Sequence, residues 1–299
     1  MKRQCLYVGT KGHEKPPSPQ SSPRRGEEVK KLPRPHGERA GGEGDFQLKN
    51  KPTLGISSCL LGNRVRYDGG HKLDRFLAHR LGKYVEWVPV CPEVECGLPV
   101  PRAAMNLVGN KAAPRLVTIG TGIDHTKRMN KWTRKRLREL ERLNLCGFVF
   151  KARSPSSGMR GVKVYSAEGR VIGASPGLFA KAFQERFPAL PVEDGERLRD
   201  PVIRKNFMER VAVYKDWLEF TKKDGSLEGL TKFHDKHRLI IISRGKSRYQ
   251  ALSRIIASAN SMKKAELFSL YISTLMKGLG ACRGGRKEPR LKDFGALHP

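Results

Sequence analysis

GISSCLLGNRVRYDGG, residues 55–70, and PVCPEVECGLPVPR, residues 89–102, decide the fold between them. Each puts a cysteine at the mouth of a strand. GISSC is a short run that enters a sheet, with Cys59 on the turn where CLLG leaves it. VEWVPV, just before Cys91, has the β-branched and aromatic composition of a strand, and Pro92 has no N–H with which to continue the ladder. In parallel α/β sheets, ligands bind outside the carboxyl ends of the strands, which is where both thiols fall. A third position of the same kind is expected further along, and Ser157 is the residue that meets it.

Working outward, residues 73–81 carry Phe76, Leu77 and Leu81 at helical spacing, ahead of the VEWVPV strand. NLVGNKAAPRLVTIGTGID reads as a short extended pair. Asp124 is placed to cap the following helix, MNKWTRKRLRELERLNL, which turns Trp132, Leu137, Leu140 and Leu143 towards a core and its arginines outward. That helix stops at Cys146 and Gly147. GFVFKARSPSSG is then an apolar strand ending in a Ser, Pro and Gly turn. Residues 163–165 and 171–172 suggest a hairpin, and GLFAKAFQERFPALPV is an amphipathic helix closed by Pro188. Strands alternating with helices are the pattern of an α/β layer fold with a mostly parallel sheet. From about residue 198 to 280 the pattern becomes helical, with Phe207, Val211, Tyr214 and Leu218 on one face, and predicts a bundle.

The chain has 299 residues, long enough for two domains with cores of their own. Fifty-nine Lys and Arg against 29 Asp and Glu give a formal net charge of +30. Such a field favours a polyanion, and for a protein without a membrane span that is ordinarily nucleic acid; solvated surface lysines are the bland alternative. No run approaches the ~18 apolar residues of a spanning helix, and no apolar signal segment follows Met1. The expectation is a cytoplasmic protein with reduced thiols, where clustered cysteines mean metal or catalysis more often than disulfides. Residues 1–50, dense in Pro, Gly, Ser and charge, are expected to be disordered and to be an extension outside the functional protein; a basic tether for nucleic acid is the other reading.

SSCLLGNRVRYDGGHK, VCPEVECGLPVPR, FKARSPSSGMRGVKVY and GLFAKAFQERFPALPVEDGERLRDP resemble the signature segments of the thiouracil desulfurase (TudS) family, over roughly residues 53–191. In that family three cysteines, in SxCLLG, CPE and SPSCG motifs, hold a 4Fe-4S cluster whose fourth iron is open. The resemblance implies Cys59 and Cys91 as ligands, and puts Ser157 where the third cysteine would be. A serine oxygen is a harder and much less acidic ligand than a thiolate. Cys96, five residues after Cys91, is the alternative third ligand, with Cys146 behind it; buried apolar filler is the bland reading of both. The implied chemistry is desulfuration of a thiocarbonyl base, with water attacking the ring carbon and a carboxylate moving protons. Glu93 is the first choice for that carboxylate and Asp68 the second. Their ordinary alternatives are hydrogen bonding to nearby amides and closure of the RYDGG turn. Ser154, Ser156 and the Gly158 amide form a polar turn suited to cluster sulfides or substrate, and Arg102 and Lys151 suit a substrate phosphate.

FHDKHRLIIISRGKSRYQALSRII resembles the YbgA-type helical domain of unknown function that follows the desulfurase unit in fused proteins of the RudS type, which remove sulfur from 4-thiouridine in transfer RNA. The domain plan is therefore 1–50 extension, 51–197 iron-sulfur desulfurase domain, 198–280 helical domain and 281–299 irregular tail, the last departing from the continuation that the resemblance implies. The implied partner is tRNA or another RNA, with no membrane and no obligate protein partner. Lys205, Arg238, Arg244, Lys246, Arg248, Lys263 and Lys264 are the candidate phosphate contacts. His234 and His237 lack matching ligands for a metal site, and their basic surroundings suggest a polar face. Three functions follow: a cluster-dependent tRNA desulfidase impaired by Ser157, a catalytically inactive RNA-binding relative, and a desulfurase of free thiouracil.

Overall fold

The computed structural model describes residues 51–280; the extension 1–50 with Cys5 and the tail 281–299 with Cys282, expected to be disordered and irregular, lie outside the described residues. The first sheet is built from β1 (Thr53–Ser57), β2 (Glu86–Val90), β5 (Gly147–Phe150) and β8 (Val192–Asp194). Its order is β2-β1-β5-β8 and every pairing is parallel. A second sheet, in the order β4-β3-β6-β7, combines β3 (Met105–Val108), β4 (Arg115–Thr118), β6 (Val162–Tyr165) and β7 (Val171–Ser175). Only its β3–β6 pair is parallel, and the two outer pairs are antiparallel hairpins. The α/β class and the parallel sheet agree with the sequence reading. The separation into two sheets was not legible in it.

Both faces of the first sheet are covered, as a parallel sheet requires. On one face Val90, Phe148 and Phe150 pack against Leu137 and Leu140 of α2 (Thr126–Glu141) and Phe179 and Phe183 of α3 (Leu178–Arg186). On the other, Leu54, Ile56 and Val149 meet Phe207 and Val211 of α4 (Pro201–Lys223). Gly55 sits between: a Cβ there would lie 2.1 Å from a ring carbon of Phe148, so the central strand has room only for glycine. The short helix α1 (Pro92–Glu95) follows β2 directly.

Two local expectations shift and a third is met. The helix over residues 73–81 is a π-helical turn (Phe76–Arg80) running into a 3-10 turn (Leu81–Lys83). Asp74 Oδ1 accepts the N–H groups of Phe76 and Leu77 at its start, and the Leu77 carbonyl accepts from the Trp87 indole at 3.2 Å. Leu143 is exposed rather than in the core, because α2 ends at Glu141 and the chain turns through a left-handed Asn144 at φ 50°. Asp124 does accept a helix-start N–H, that of Thr126, at 2.8 Å.

Beyond α4 the chain continues as α5 (Leu227–Lys236), α6 (Arg238–Ser243), α7 (Lys246–Ala257) and α8 (Lys264–Gly280), around Trp217, Leu230, Phe233, Tyr271 and Leu275. Asp200 caps α4 through Val202 N–H, and Ser226 caps α5 through Gly229 N–H. Both histidines of α5 and its end are buried, not on a polar face. His234 uses both ring nitrogens, on Tyr271 Oη at 3.0 Å and Ser253 Oγ at 3.1 Å, and stacks on Tyr249. His237 meets Asp216 at 3.2 Å. Among the described residues no helix is long and apolar enough to cross a membrane.

Candidate active site

A cleft of about 200 Å³ opens at the carboxyl ends of three neighbouring strands, β2, β1 and β5. Each strand delivers one of the expected ligand positions. β1 runs into a 3-10 turn (Ser58–Leu61) that carries Cys59, closed by Gly62 at φ 93°. β2 gives way at once to Cys91, after which Pro92 starts α1. β5 ends in the SPSSG turn that carries Ser157, whose N–H donates to Ser154 Oγ at 3.0 Å. That turn is pinned from behind, because Phe179 and Ala180 N–H at the start of α3 both donate to the Ser156 carbonyl. The β1 and β5 ends are tied together by Lys151 N–H donating to Ser57 Oγ at 2.9 Å.

Cys59, Cys91 and Ser157 all line the cleft. Ser157 is only 4% exposed, and its hydroxyl makes no hydrogen bond among the described residues; the Cys59 thiol has only its own backbone as a partner. The Cys91 thiol makes a long contact, 3.8 Å, to the Val65 carbonyl and interacts with the Val94 backbone. Burial raises the Cys59 thiol pKa, with Lys151 and Arg66 pulling it back, and burial pushes Cys91 up to about 11. The three residues thus converge on the cleft, and neither thiol is tied up by another side chain. Among the described residues no group of three or more His, Cys, Asp or Glu side chains is placed to hold a metal ion.

Glu93 lies in the cleft wall and is held on both oxygens. Oε1 accepts from Ser156 Oγ at 2.8 Å, and Ser156 in turn meets Ser154 Oγ at 3.0 Å. Oε2 pairs with the Arg102 guanidinium. Arg102, expected as a phosphate contact, is instead buried and fully occupied: it also donates to Val65 and Pro99 carbonyls at 3.0 Å. It ties the 63–70 loop to the wall behind Cys91. Lys151 points to the Ala152 carbonyl at 2.8 Å and to Glu196. Arg66 and Tyr67 of the same loop line the cleft and were not singled out in the sequence, although they stand inside its opening motif.

Asp68 lies outside the cleft lining, where it accepts from Arg66 and from Gly70 N–H, as a turn-closing aspartate does. Cys96 also stays out of the cleft: its thiol donates to the Glu93 carbonyl at 3.2 Å, within a separate core with Met105, Leu107 and Met129. Cys146 precedes β5, at the opposite end of the strand from the cleft. Of the proposed phosphate contacts, Arg244 pairs with Glu209, Arg248 donates to the Gly278 carbonyl, and Arg238 lies over the Tyr249 ring. Lys205, Lys246, Lys263 and Lys264 are exposed.

No match was found among the curated proteins compared with the chain. A solved structure described as a 4Fe-4S-dependent thiouracil desulfidase, TudS, aligns at 30% identity, covering 50% of this chain and 95% of that one, with a TM-score of 0.40. The family model described as 2-thiouracil desulfurase matches residues 54–195, the segment from β1 to just past β8 that contains the whole cleft. Over that segment the chain belongs to the 2-thiouracil desulfurase family.

Proposed function

We propose that this chain removes the sulfur of a thiolated uracil carried in RNA, 4-thiouridine in tRNA being the first candidate, with a 4Fe-4S cluster held by Cys59, Cys91 and Ser157. The observation that carries this reading is the convergence of those three residues from three adjacent parallel strands into one cleft. The donor set suits an iron-sulfur group, since thiolates are its ordinary ligands, and the Ser157 hydroxyl at the cleft lining is a further oxygen donor. When bound, the cluster supplies an open iron that takes up the substrate's sulfur.

The net reaction is hydrolysis: the ring carbon exchanges its C=S for C=O, water supplies the oxygen, and sulfur leaves as hydrogen sulfide. This chain's own residues supply the proton handling and the positioning. Glu93, fixed by Ser156 and Arg102, takes the proton of the attacking water, and the Ser154–Ser156 pair continues the hydrogen-bond line along the wall. Arg66 and Lys151 pull the Cys59 thiol towards its thiolate against the larger, opposing effect of burial. The formal charge of +30 supports a polyanionic substrate over a free base.

The test is anaerobic iron and sulfide reconstitution of the full chain, read by visible absorbance and iron content, then incubation with RNA containing 4-thiouridine and with free thiouracil. About four irons per chain and sulfur loss from RNA are expected. Loss from the free base alone would reassign the substrate. A second reading, an inactive RNA-binding relative, is favoured by one observation, the serine at position 157. It gains the ground if the natural chain takes up no iron while a Ser157→Cys variant does.

A further inference from the structure

The solvent side of α2 carries an unusual row of charge. Lys127, Lys131, Arg134 and Arg138 follow one another at intervals of four, three and four residues, so they stand in one straight line, and Arg142 extends it past the helix end. All five are exposed, and none has a carboxylate partner among the described residues. The helix's own acids are gathered at its far end and already engaged: Glu139 with Arg136 and Lys135, Glu141 with Arg186. The core side of the helix, Met129, Thr133, Leu137 and Leu140, faces the other way.

Like charges three and four residues apart destabilise a helix, and no carboxylate among the described residues pairs with them here; only Arg138, in the last turn, gains from the helix dipole. A row about 16 Å long with steps of about 4.5 to 6 Å offers repeated point charges to a chain of phosphates. A membrane-surface helix would present apolar residues beside its cations; this helix buries its apolar side in the protein core. The helix is also braced on the wall of the cleft. Arg136 pairs with Glu95, and Arg128 donates to the Cys96 and Gly97 carbonyls at 2.6 Å, both just after Cys91 and Glu93.

We infer that the α2 row Lys127, Lys131, Arg134 and Arg138 is the surface that docks the sugar-phosphate backbone of the RNA substrate, in preference to the helical-domain cations. The inference rests on the RNA reading of the proposed function. In the helical region Arg244 and Arg248 are already committed to internal partners and the exposed Lys205, Lys246, Lys263 and Lys264 are spread over α4, α7 and the start of α8, whereas the α2 row sets four cations in one line, free to exchange their counterions for phosphates.

The experiment measures binding of purified tRNA to the full chain across a salt series, beside a variant with Lys127→Gln, Lys131→Gln, Arg134→Gln and Arg138→Gln, and a milder Lys131→Gln/Arg134→Gln pair. Thermal melts establish that each variant folds. The fourfold variant is expected to bind about 100-fold more weakly at low salt, with the slope of log affinity against log salt flatter by about 3, and the pair to fall between. Unchanged affinity and slope in a folded variant, with tight binding by the natural chain, would overturn the docking surface alone. No binding by the natural chain at low salt would instead overturn the RNA substrate, and the docking surface with it. Loss of binding to anionic vesicles with RNA binding intact overturns it in favour of a lipid surface.

Discussion

Ser156 Oγ donates to Glu93 Oε1 at 2.8 Å, joining two turns that are 63 residues apart in sequence and that carry Ser157 and Cys91. The bond couples the geometry of one ligand position to the other. On its far side the same carboxylate holds Arg102, with only 6% and 13% of the two side chains exposed. Glu93→Ala strands a buried guanidinium and is expected to cost about 3–5 kcal/mol in urea unfolding. Ser156→Ala removes a hydrogen bond to a charged group and is expected to cost about 1.5–3 kcal/mol. Glu93→Gln keeps the volume and is expected to lower sulfur release about 100-fold or more, as loss of a general base does. Full turnover by Glu93→Gln would leave the carboxylate a structural role only.

Ser157 separates thiol chemistry from packing. Ser157→Cys fills the same buried position with a softer ligand and is expected to raise retained iron and slow its loss in air. Ser157→Ala removes the oxygen with little change in volume and is expected to lose iron relative to the natural chain. Cys59→Ser and Cys91→Ser are expected to lose iron further, because each removes one of the two thiols in the cleft. Equal iron in Ser157→Ala and the natural chain would remove the serine from the ligand set.

Gly177, at the start of α3, approaches the site turn closely: a Cβ would lie 2.6 Å from the Ser156 carbonyl carbon and 2.9 Å from the Pro155 oxygen. These are backbone atoms and have no rotamer through which to yield. Gly177→Ala is therefore expected to displace the SPSSG turn and lower iron uptake, while the cluster around Trp217, Phe233 and Tyr271 keeps its packing. Hydrogen exchange would show the change as lost protection at Phe179 and Ala180, whose N–H groups bond the Ser156 carbonyl. Unaltered protection and iron uptake would mean that the turn is not held by this contact.

The part of the site that the sequence made legible was the part set by strand ends. Cys59 and Cys91 each follow a strand that composition alone identifies, and Ser157 follows GFVF in the same way, so parallel pairing of β2, β1 and β5 brings them together. Side-chain pairing was not legible, because it depends on where loops fold back. Arg102 sits among prolines in a run that gives no sign of its turning inward to Glu93 and the Val65 carbonyl. Asp68 and Cys96 are close to the ligand positions in sequence but turn outward and into a second core, since a difference of a few residues in a turn reverses direction. The same limit applied to the fold: the extended pair and the hairpin that became β3–β4 and β6–β7 were legible, but nothing local said that they join through β3 and β6 into a separate sheet.

The buried histidines give the helical part an acid sensitivity whose sign is fixed. Burial lowers the pKa of both His234 and His237 below the ordinary value of 6.5, in His237 against the opposing pull of Asp216. Above pH 6.5 folded and unfolded chains are both neutral at these rings, and their contribution is whole. As pH falls through 6.5 the unfolded chain takes up protons that the folded one does not, so stability declines, by up to about 1.4 kcal/mol per pH unit for each histidine. Protonating His234 would also set a charge among Tyr249, Tyr271 and Ser253, where one ring nitrogen must accept if Tyr271 or Ser253 donates to it. Urea unfolding at pH 7.5 and 5.5 tests this directly. His234→Gln is expected to be less stable than the natural chain at both values, yet to lose less between them; an equal loss in the two proteins would put the acid response elsewhere.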